Sequence, residues 1–376
     1  MNKIIFCTYS NFEKKNFGDT NNNSKFFFAI PENFEKIALF PKRNGQNKIT
    51  LLNLLKFILN FFKEIINSEN LIITRGLKLG FIPLCLRFIF KNKVIIYLGC
   101  TPINFVERIA FNSNPEYIED SSLLKSIMYI IEPSIEKYVL RHADKFIVEN
   151  RKAKKLITFY GAELSKIKVI PYYVQKYFTK SNKLEFNRYH DVFSMGYIGR
   201  FKKYDLLKPI IKAINSLRKE GYNIKLYMIG SGPQLEEIQN MVKQEDLSKV
   251  IKFLGSKSHK EVSHLIENFH TIISPMLENI CPSTVAIKVL ESVMNGKIVI
   301  TSDSGNISSL FLDNKDLVLD QVNSNNLSNK IKKIIENYDH YSKISEKLRK
   351  HHLSFRKKQI FEKEVKKLMK NINFNH

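Results

Sequence analysis

The chain has 376 residues, which predicts two domains rather than one, and 44% of the residues are hydrophobic, enough for ordinary globular cores. Four widely spaced cysteines without a CxxC pair argue against a zinc site and a disulfide framework, so a reducing cytosol is the simplest compartment. The N-terminus lacks the apolar core of a signal peptide, and the longest apolar stretches are too short and too charged to span a membrane.

Basic residues far exceed acidic ones, with 60 Lys and Arg against 36 Asp and Glu and a formal net charge of +24. Such an excess is typical of proteins that meet an anionic partner: a nucleic acid, an anionic membrane or a phosphorylated substrate. An AT-rich genome, whose codons favour Lys, Asn and Ile, would give the same excess without any partner. Charge alone therefore leaves both explanations open.

Strand-like and helical segments alternate along the N-terminal half. The predicted strands are short apolar runs at residues 3–9, 70–76, 93–99, 144–150 and 167–174. Helical patterns between them include residues 51–66, 79–90 and 121–142. This alternation is typical of βαβ units and predicts a parallel sheet.

The alternation restarts after residues 175–191, a polar and aperiodic stretch that we predict to be a linker. The predicted strands are then 192–199, 224–230, 250–255, 271–275 and 297–303, and the predicted helices are 204–220, 233–244, 258–268 and 284–295. We predict an α/β protein with two Rossmann-like, doubly wound domains, at residues 1–175 and 192–355, that face a cleft, followed by a helix within 356–376.

The stretch "GYIGRFKKYDLL" places three cations, Arg200, Lys202 and Lys203, between a predicted strand and a predicted helix. Doubly wound sheets bind ligands beyond the carboxyl ends of their strands, and a helix N-terminus attracts anions. The pattern favours a site for an anion such as a diphosphate. A solvated loop in a lysine-rich chain would have the same composition.

Glycines flank a serine in "MIGSGPQLEEI", where Gly230 and Gly232 precede Pro233 at the first turn of a predicted helix. Glycine lets a backbone approach a ligand closely. A tight connection between a strand and a helix also needs such residues. The stretch lacks the GxGxxG spacing, so we predict no dinucleotide fingerprint.

The stretch "CPSTVAIKVLESVMNGK" predicts a helix with Ser283 as its N-cap and Gly296 as its C-terminal stop. Glu291 falls outside both apolar stripes of this helix, so it is either an exposed glutamate or an acceptor for vicinal hydroxyls such as those of a ribose. Amides near Ser283 and Thr284 at the predicted helix start would suit a second anionic group.

Four blocks, in this order, resemble the retaining family 4 of the GT-B-fold glycosyltransferases, also called glycosyl transferases group 1. The blocks are "GRFKKYDLL" (199–207), "GSGP" (230–233), "FLG" (253–255) and "SPMLENICPSTVAIKVLESVMNGKIVIT" (274–301). The resemblance covers residues 140–305 well and the first 140 residues by architecture. It implies the GT-B arrangement, with C-terminal helices that pack back toward the N-terminal domain.

The resemblance also implies roles for residues of this chain. Arg200 and Lys202 would stabilise the donor diphosphate and act as the catalytic cations, and Glu291 would bind the nucleotide ribose. The remaining implied donor contacts are Lys203, Gly230, Leu254, Ser283 and Thr284, and the implied acceptor contacts are Gly18, Asp19 and Thr20. The family resemblance implies no metal and no cofactor, with a nucleotide-sugar as the donor substrate.

Two positions depart from the family pattern. Ser283 stands where many relatives have a first glutamate, and Gly99 and Cys100 stand where many relatives have a histidine. The departures keep a non-catalytic relative among the alternatives. A basic nucleic-acid-binding protein is another, although no recognised module is present and no nucleic acid partner is expected.

The function implied is transfer of a sugar to a glycan or a lipid-linked saccharide, in the synthesis of a cell-surface polysaccharide. The expected location is cytoplasmic, with an anionic membrane at its inner face as a further candidate partner. Residues 51–66 form an amphipathic helix that would suit either that membrane surface or the core beneath a sheet.

Overall fold

The computed structural model describes residues 3–8, 22–39, 51–66, 71–98, 123–180, 184–186, 191–202, 205–276, 286–303, 307–312 and 314–372. The chain divides into two compact units. The first consists of Met1–Tyr173 together with Lys358–His376, and the second of Val174–Lys357.

A six-stranded sheet forms the centre of the first unit, and every described strand pair in it is parallel. Its strands are β1 (Lys3–Cys7), β2 (Glu35–Leu39), β3 (Leu71–Arg75), β4 (Lys93–Leu98), β5 (Lys145–Val148) and β6 (Ile167–Val169), in the order β2-β1-β3-β4-β5-β6. Its helices before the second unit are α1 (Asn22–Ala29), α2 (Leu51–Ile66), α3 (Leu77–Cys85), α4 (Arg87–Phe90), α5 (Leu123–His142) and α6 (Arg151–Phe159). The central strands contain buried apolar runs, such as residues 4–7 of β1 and 71–73 of β3, because both faces of the sheet are covered.

A second parallel sheet of six strands forms the centre of the second unit. Its strands are β7 (Phe193–Ile198), β8 (Ile224–Ile229), β9 (Ile251–Gly255), β10 (Thr271–Ser274), β11 (Ile298–Ser302) and β12 (Val318–Leu319), in the order β12-β11-β10-β7-β8-β9. Its helices are α7 (Leu207–Lys219), α8 (Leu235–Gln244), α9 (His259–Glu267), α10 (Ile287–Met294), α11 (Ser324–Glu336) and α12 (Tyr338–Phe355). This is the strand order of a Rossmann fold, so the prediction of doubly wound α/β units is confirmed.

The strand order reverses at one point in each sheet, between β1 and β3 in the first unit and between β7 and β10 in the second. A crevice opens at such a switch point, beyond the carboxyl ends of the two flanking strands, because their connections leave in opposite directions. In the second unit the loop at residues 199–206 and helix α10 follow these two strands.

The last helix, α13 (Lys358–Lys370), belongs to the first unit. One face of it is buried against β1 and α1 in an apolar cluster that includes Phe361, Val365, Leu368 and Met369. An ion pair of 2.8 Å between Glu364 and Lys168 adds to this contact. The expectation that C-terminal helical residues pack against the N-terminal domain is thus confirmed for α13.

The predicted linker at residues 175–191 is, where the structure describes it, part of the second unit. Phe178 is completely buried in that unit's core, and Phe186 packs against the same core. The Arg349 guanidinium donates a hydrogen bond of 2.8 Å to the Thr179 carbonyl. The prediction was wrong here because two aromatic side chains anchor an otherwise polar stretch.

Helix α2 has one buried face, which Phe57 and Phe61 form against the first sheet. Leu52, Leu55 and Leu59 are exposed on this helix. Within the part of the chain that the structure describes, no helix has the length and hydropathy needed to cross a membrane.

Candidate functional site

The loop after β7 carries two of the predicted donor cations on a backbone that is fixed by hydrogen bonds. The Gly199 amide donates to the Ile229 carbonyl (3.0 Å), and the Phe201 amide donates to the Ser231 carbonyl (3.1 Å). The buried Tyr197 hydroxyl donates to the Arg200 carbonyl at 3.1 Å. The Arg200 side chain is exposed and that of Lys202 is half-buried. Two cationic groups therefore project from a pre-organised loop.

The glycines of "GSGP" are required by the packing of this loop. Gly230 has a φ of +131°, and a Cβ atom on it would lie 1.8 Å from the Gly199 carbonyl oxygen. A Cβ atom on Gly232 would lie 2.6 Å from the Phe201 amide nitrogen. These contacts leave no room for a side chain. These glycines let the segment after β8 pack closely against the segment after β7. This agrees with the interpretation of the stretch as a tight connection.

Glu291 is buried, with 5% of its surface exposed, so the exposed-glutamate interpretation is wrong. One of its carboxylate oxygens lies 3.8 Å from Nδ1 of His259. Val289, Leu290 and Val293 of the same helix enter the core, as the apolar stripes predict. Burying a carboxylate costs free energy unless polar or charged groups surround it. Water contributes little to stabilising the Glu291 carboxylate, so other polar groups must do so.

His259 was missed by sequence analysis. It begins α9, directly after the N-cap Ser258, whose hydroxyl and the Glu261 carboxylate form a capping box. The sequence feature that could have identified His259 is its position four residues after the "FLG" block that ends β9. Leu254 of that block is half-buried.

Helix α10 starts at Ile287 with Ala286 as its N-cap, so the predicted start at residue 284 with Ser283 as N-cap is wrong. The N-cap residue forms no side-chain hydrogen bond to the helix. The spacing of the apolar residues predicted the helix but not the residue at which it begins. The predicted stop is confirmed, because Gly296 has a φ of +80° and its amide donates to the Val293 carbonyl. The Lys297 amide donates to the Ser292 carbonyl, which completes a Schellman motif.

A second residue that sequence analysis missed is Lys288. Its ammonium lies 2.8 Å from a carboxylate oxygen of Asp205 and 5.0 Å from the centre of the Tyr197 ring. The Asp205 side chain is 4% exposed and that of Lys288 is 17% exposed. The pair joins α10 to the loop of Arg200 and Lys202. Its signal was the K-x-x-E spacing to Glu291.

The other predicted site residues lie outside the described residues. They are Gly18, Asp19, Thr20, Gly99, Cys100, Lys203, Ser283 and Thr284. The described candidates Arg200, Lys202, Gly230 and Glu291 follow strands β7, β8 and β10 in the chain, and Leu254 lies near the carboxyl end of β9. Across the described ranges no three His, Cys, Asp or Glu side chains are grouped as metal ligands would be.

The sequence model of the family "Glycosyl transferases group 1" matches residues 179–351. The capsular polysaccharide biosynthesis glycosyltransferase CapM of Staphylococcus aureus is 28% identical over 208 residues. That similarity spans 52% of this chain and about half, 48%, of the relative.

Solved structures share the fold across nearly the whole chain. Sucrose-phosphate synthase from Thermosynechococcus elongatus has a TM-score of 0.76 at 14% identity and covers 98% of both chains. Anabaena Alr3699/HepE in complex with UDP-glucose has a TM-score of 0.72 at 13% identity and covers 98% of this chain and 100% of its own. The family match lies within the second unit, and the solved structures share the fold of both units. The chain is therefore similar to the group 1 glycosyltransferases over residues 179–351 and has the fold of these solved glycosyltransferase structures.

Proposed function

We propose that the protein transfers a sugar from a nucleotide-sugar donor to a saccharide acceptor, and that the donor binds at the carboxyl edge of the second sheet. The observation that carries the proposal is that the loop of Arg200 and Lys202 and the helix of the buried Glu291 follow the two strands at the switch point. The Lys288–Asp205 ion pair joins that loop to that helix. Cations suit the diphosphate of such a donor, and a fixed carboxylate suits the hydroxyls of its ribose.

In the proposed reaction the bond between the anomeric carbon and the diphosphate oxygen breaks, and a bond to an acceptor hydroxyl oxygen forms. The electron pair of the breaking bond leaves with the diphosphate, so negative charge accumulates on the phosphate oxygens in the transition state. The acceptor hydroxyl proton is then transferred to this leaving group. Arg200 and Lys202 would stabilise this charge from a loop that needs no reorganisation. We propose retention of the anomeric configuration and independence from metal, with neither a metal nor a cofactor involved.

Glu291 would orient the nucleotide rather than take part in bond breaking. Its burial and its position 3.8 Å from His259 hold the carboxylate at one place on α10. A carboxylate with two acceptor oxygens can receive both hydroxyls of a ribose. The donor residues Lys203, Gly230, Leu254, Ser283 and Thr284 and the acceptor residues Gly18, Asp19 and Thr20 stay part of the proposal.

The class of acceptor is proposed from the relatives. CapM is named for capsular polysaccharide biosynthesis, which supports a glycan or a lipid-linked saccharide as acceptor. HepE is described with UDP and UDP-glucose, so a UDP-sugar is the first donor to test. We propose a cytoplasmic protein, with an anionic membrane surface as a further partner.

The proposal is tested by a thermal-shift screen of nucleotide-sugars, because a donor that binds the folded state raises the melting temperature. The best donor is then titrated against the wild type, Arg200→Ala, Glu291→Gln and the control Lys225→Gln, a surface lysine on β8. Weaker binding in the first two variants and unchanged binding in the control are expected. Equal affinity in all four proteins would contradict the donor site.

The reaction itself is followed by donor hydrolysis and by transfer to saccharide or lipid-linked acceptors. The proton spectrum of the product's anomeric position distinguishes retention from inversion. Turnover that survives EDTA supports the metal-independent proposal, and turnover that EDTA abolishes refutes it. Donor binding without any transfer would favour the non-catalytic alternative.

A further inference from the structure

The amino edge of the second sheet contains a cavity of about 710 Å³ that the proposed reaction does not use. Two of the lining residues, His270 and Lys297, come immediately before strands β10 and β11. The Arg200 loop follows β7, so the two places lie at opposite edges of one sheet. A strand of five residues is roughly 17 Å long, which keeps a ligand of ordinary size at one edge from reaching the other.

Positive charge dominates the lining of this cavity. Five cationic side chains contribute to it: Lys297, Lys343, Lys347, Arg349 and Lys350. Among the described lining residues, Glu346 is the one carboxylate, and it lies 3.0 Å from the Arg349 guanidinium. That pair cancels, so the lysines give the lining a net positive charge.

Three of the lysines share one face of helix α12. Residues 343, 347 and 350 are separated by four and then three positions, the spacing that brings helical side chains together. All three are exposed at the cavity mouth. Like charges at this spacing destabilise a helix, so the arrangement has a cost that an anion would relieve.

Lys297 forms the inner part of the lining and is 5% exposed. Its ammonium donates a hydrogen bond of 2.9 Å to the Glu267 carbonyl. Burial lowers the pKa of Lys297 to about 8, although the nearby Glu267 carboxylate acts in the opposite direction. The lining of the cavity therefore combines one buried ammonium group with three exposed ones.

We propose that this cavity binds a multiply charged, phosphate-bearing anion, at a site separate from the donor site. Its volume lies within the range of small-molecule pockets, roughly 300–1,000 Å³. Lysine ammonium groups bind phosphate oxygens as mobile point charges, and four of them around one cavity suit two or more phosphates better than one carboxylate. The phosphates belong either to a soluble compound or to the headgroup of an anionic lipid.

The test uses the full chain with Arg200→Ala, Lys202→Ala and Lys203→Ala, so that the proposed donor cations do not contribute and the outcome does not depend on the donor site. Inorganic tripolyphosphate is titrated calorimetrically into three proteins. They are this parent, a cavity variant with Lys343→Gln, Lys347→Gln and Lys350→Gln, and a matched control with Lys225→Gln, Lys243→Gln and Lys249→Gln. The control removes the same charge from exposed lysines of the same unit that do not line the cavity.

Saturable binding to the parent is expected, weakened at least about tenfold in the cavity variant and by less than about twofold in the control, since local charges dominate at physiological salt. A single Lys343→Glu substitution provides a second reading if the triple variant unfolds. Equal weakening in the cavity and control variants, or no saturable binding by the parent, would overturn the proposal.

A second arm identifies the source of the phosphates. Vesicles of phosphatidylglycerol in phosphatidylcholine are sedimented with the same proteins. Loss of sedimentation in the cavity variant, together with competition by tripolyphosphate, assigns the cavity to lipid headgroups. Unchanged sedimentation alongside the tenfold loss of tripolyphosphate affinity assigns it to a soluble phosphate compound.

Discussion

The two edges of the second sheet both carry positive charge, but they hold it in different ways. At the carboxyl edge, Arg200 and Lys202 project from a loop fixed by backbone hydrogen bonds, and Lys288 is paired with the buried Asp205. At the amino edge, four lysines line an open cavity whose one described lining carboxylate, Glu346, is paired with Arg349. The first arrangement suits a defined transition state and the second a ligand held mainly by charge. The two proposed sites therefore differ in how their cations are arranged.

The largest effect is expected from breaking the ion pair at the carboxyl edge. Lys288→Met leaves the Asp205 carboxylate buried without its cation, which should lower the free energy of unfolding by about 3–5 kcal/mol. Urea denaturation measures this. The double variant with Asp205→Asn and Lys288→Met should recover most of the loss, because no charge is then left buried. A loss below about 1 kcal/mol in the single variant would show that the pair does not hold the loop.

Removing a cation from the fixed loop should affect catalysis rather than folding. Arg200→Ala is expected to lower kcat by about 10²–10³-fold, the usual effect of losing one group that stabilises transition-state charge. The exposed side chain makes its loss harmless to stability. The cavity variant with Lys343→Gln, Lys347→Gln and Lys350→Gln is the control for the comparison of edges. If it lost as much turnover, the two edges would not be functionally distinct.

A smaller effect is expected for the buried carboxylate of the same edge. Glu291→Gln keeps the shape of the side chain and removes its charge, so donor affinity should fall about tenfold, or about 1.4 kcal/mol. Isothermal titration with the best nucleotide-sugar measures it. The matched free sugar phosphate, which lacks a ribose, should bind the variant and the wild type equally. A loss of affinity for both ligands would place Glu291 near the sugar instead.

An effect of similar size is expected at the amino edge, from the buried Lys297. The pKa of Lys297 is lowered to about 8, below its ordinary value of 10.5, so the unfolded chain binds more protons between these pH values. Its contribution to stability therefore rises with pH, by about 1–2 kcal/mol between pH 8 and 9.5. Lys297→Met should remove this rise in a series of urea titrations. A pH dependence identical to that of the wild type would show that Lys297 titrates normally.

Most of the fold could be predicted because buried parallel strands are uninterrupted apolar runs. The strands β1 and β3–β11 lie within the predicted segments. Strand β2 was missed because it is an edge strand with no fully buried residue, and β12 has two residues. Neither leaves a hydrophobic run long enough to recognise.

The candidate site could be predicted in part, by resemblance of local motifs. Arg200, Lys202 and Glu291 stood out because each follows a strand or lies on a helix with a recognisable pattern. The Lys288–Asp205 pair could not, because its partners are 83 positions apart and only folding brings them together. The cavity was even harder to predict from the sequence. Lys297 directly precedes a strand, and the other lysines lie on a helix some 50 residues later.

The membership of α13 in the first unit has a consequence for the order in which the chain folds during synthesis. The apolar cluster around Phe26 and Tyr97 is completed by Phe361 and Val365, which follow Tyr173 by roughly 190 residues. At about 5–20 residues per second the ribosome needs some 10–40 s to deliver them. The second unit is fully translated before then, so the half of the protein that is made first is the last to close its core.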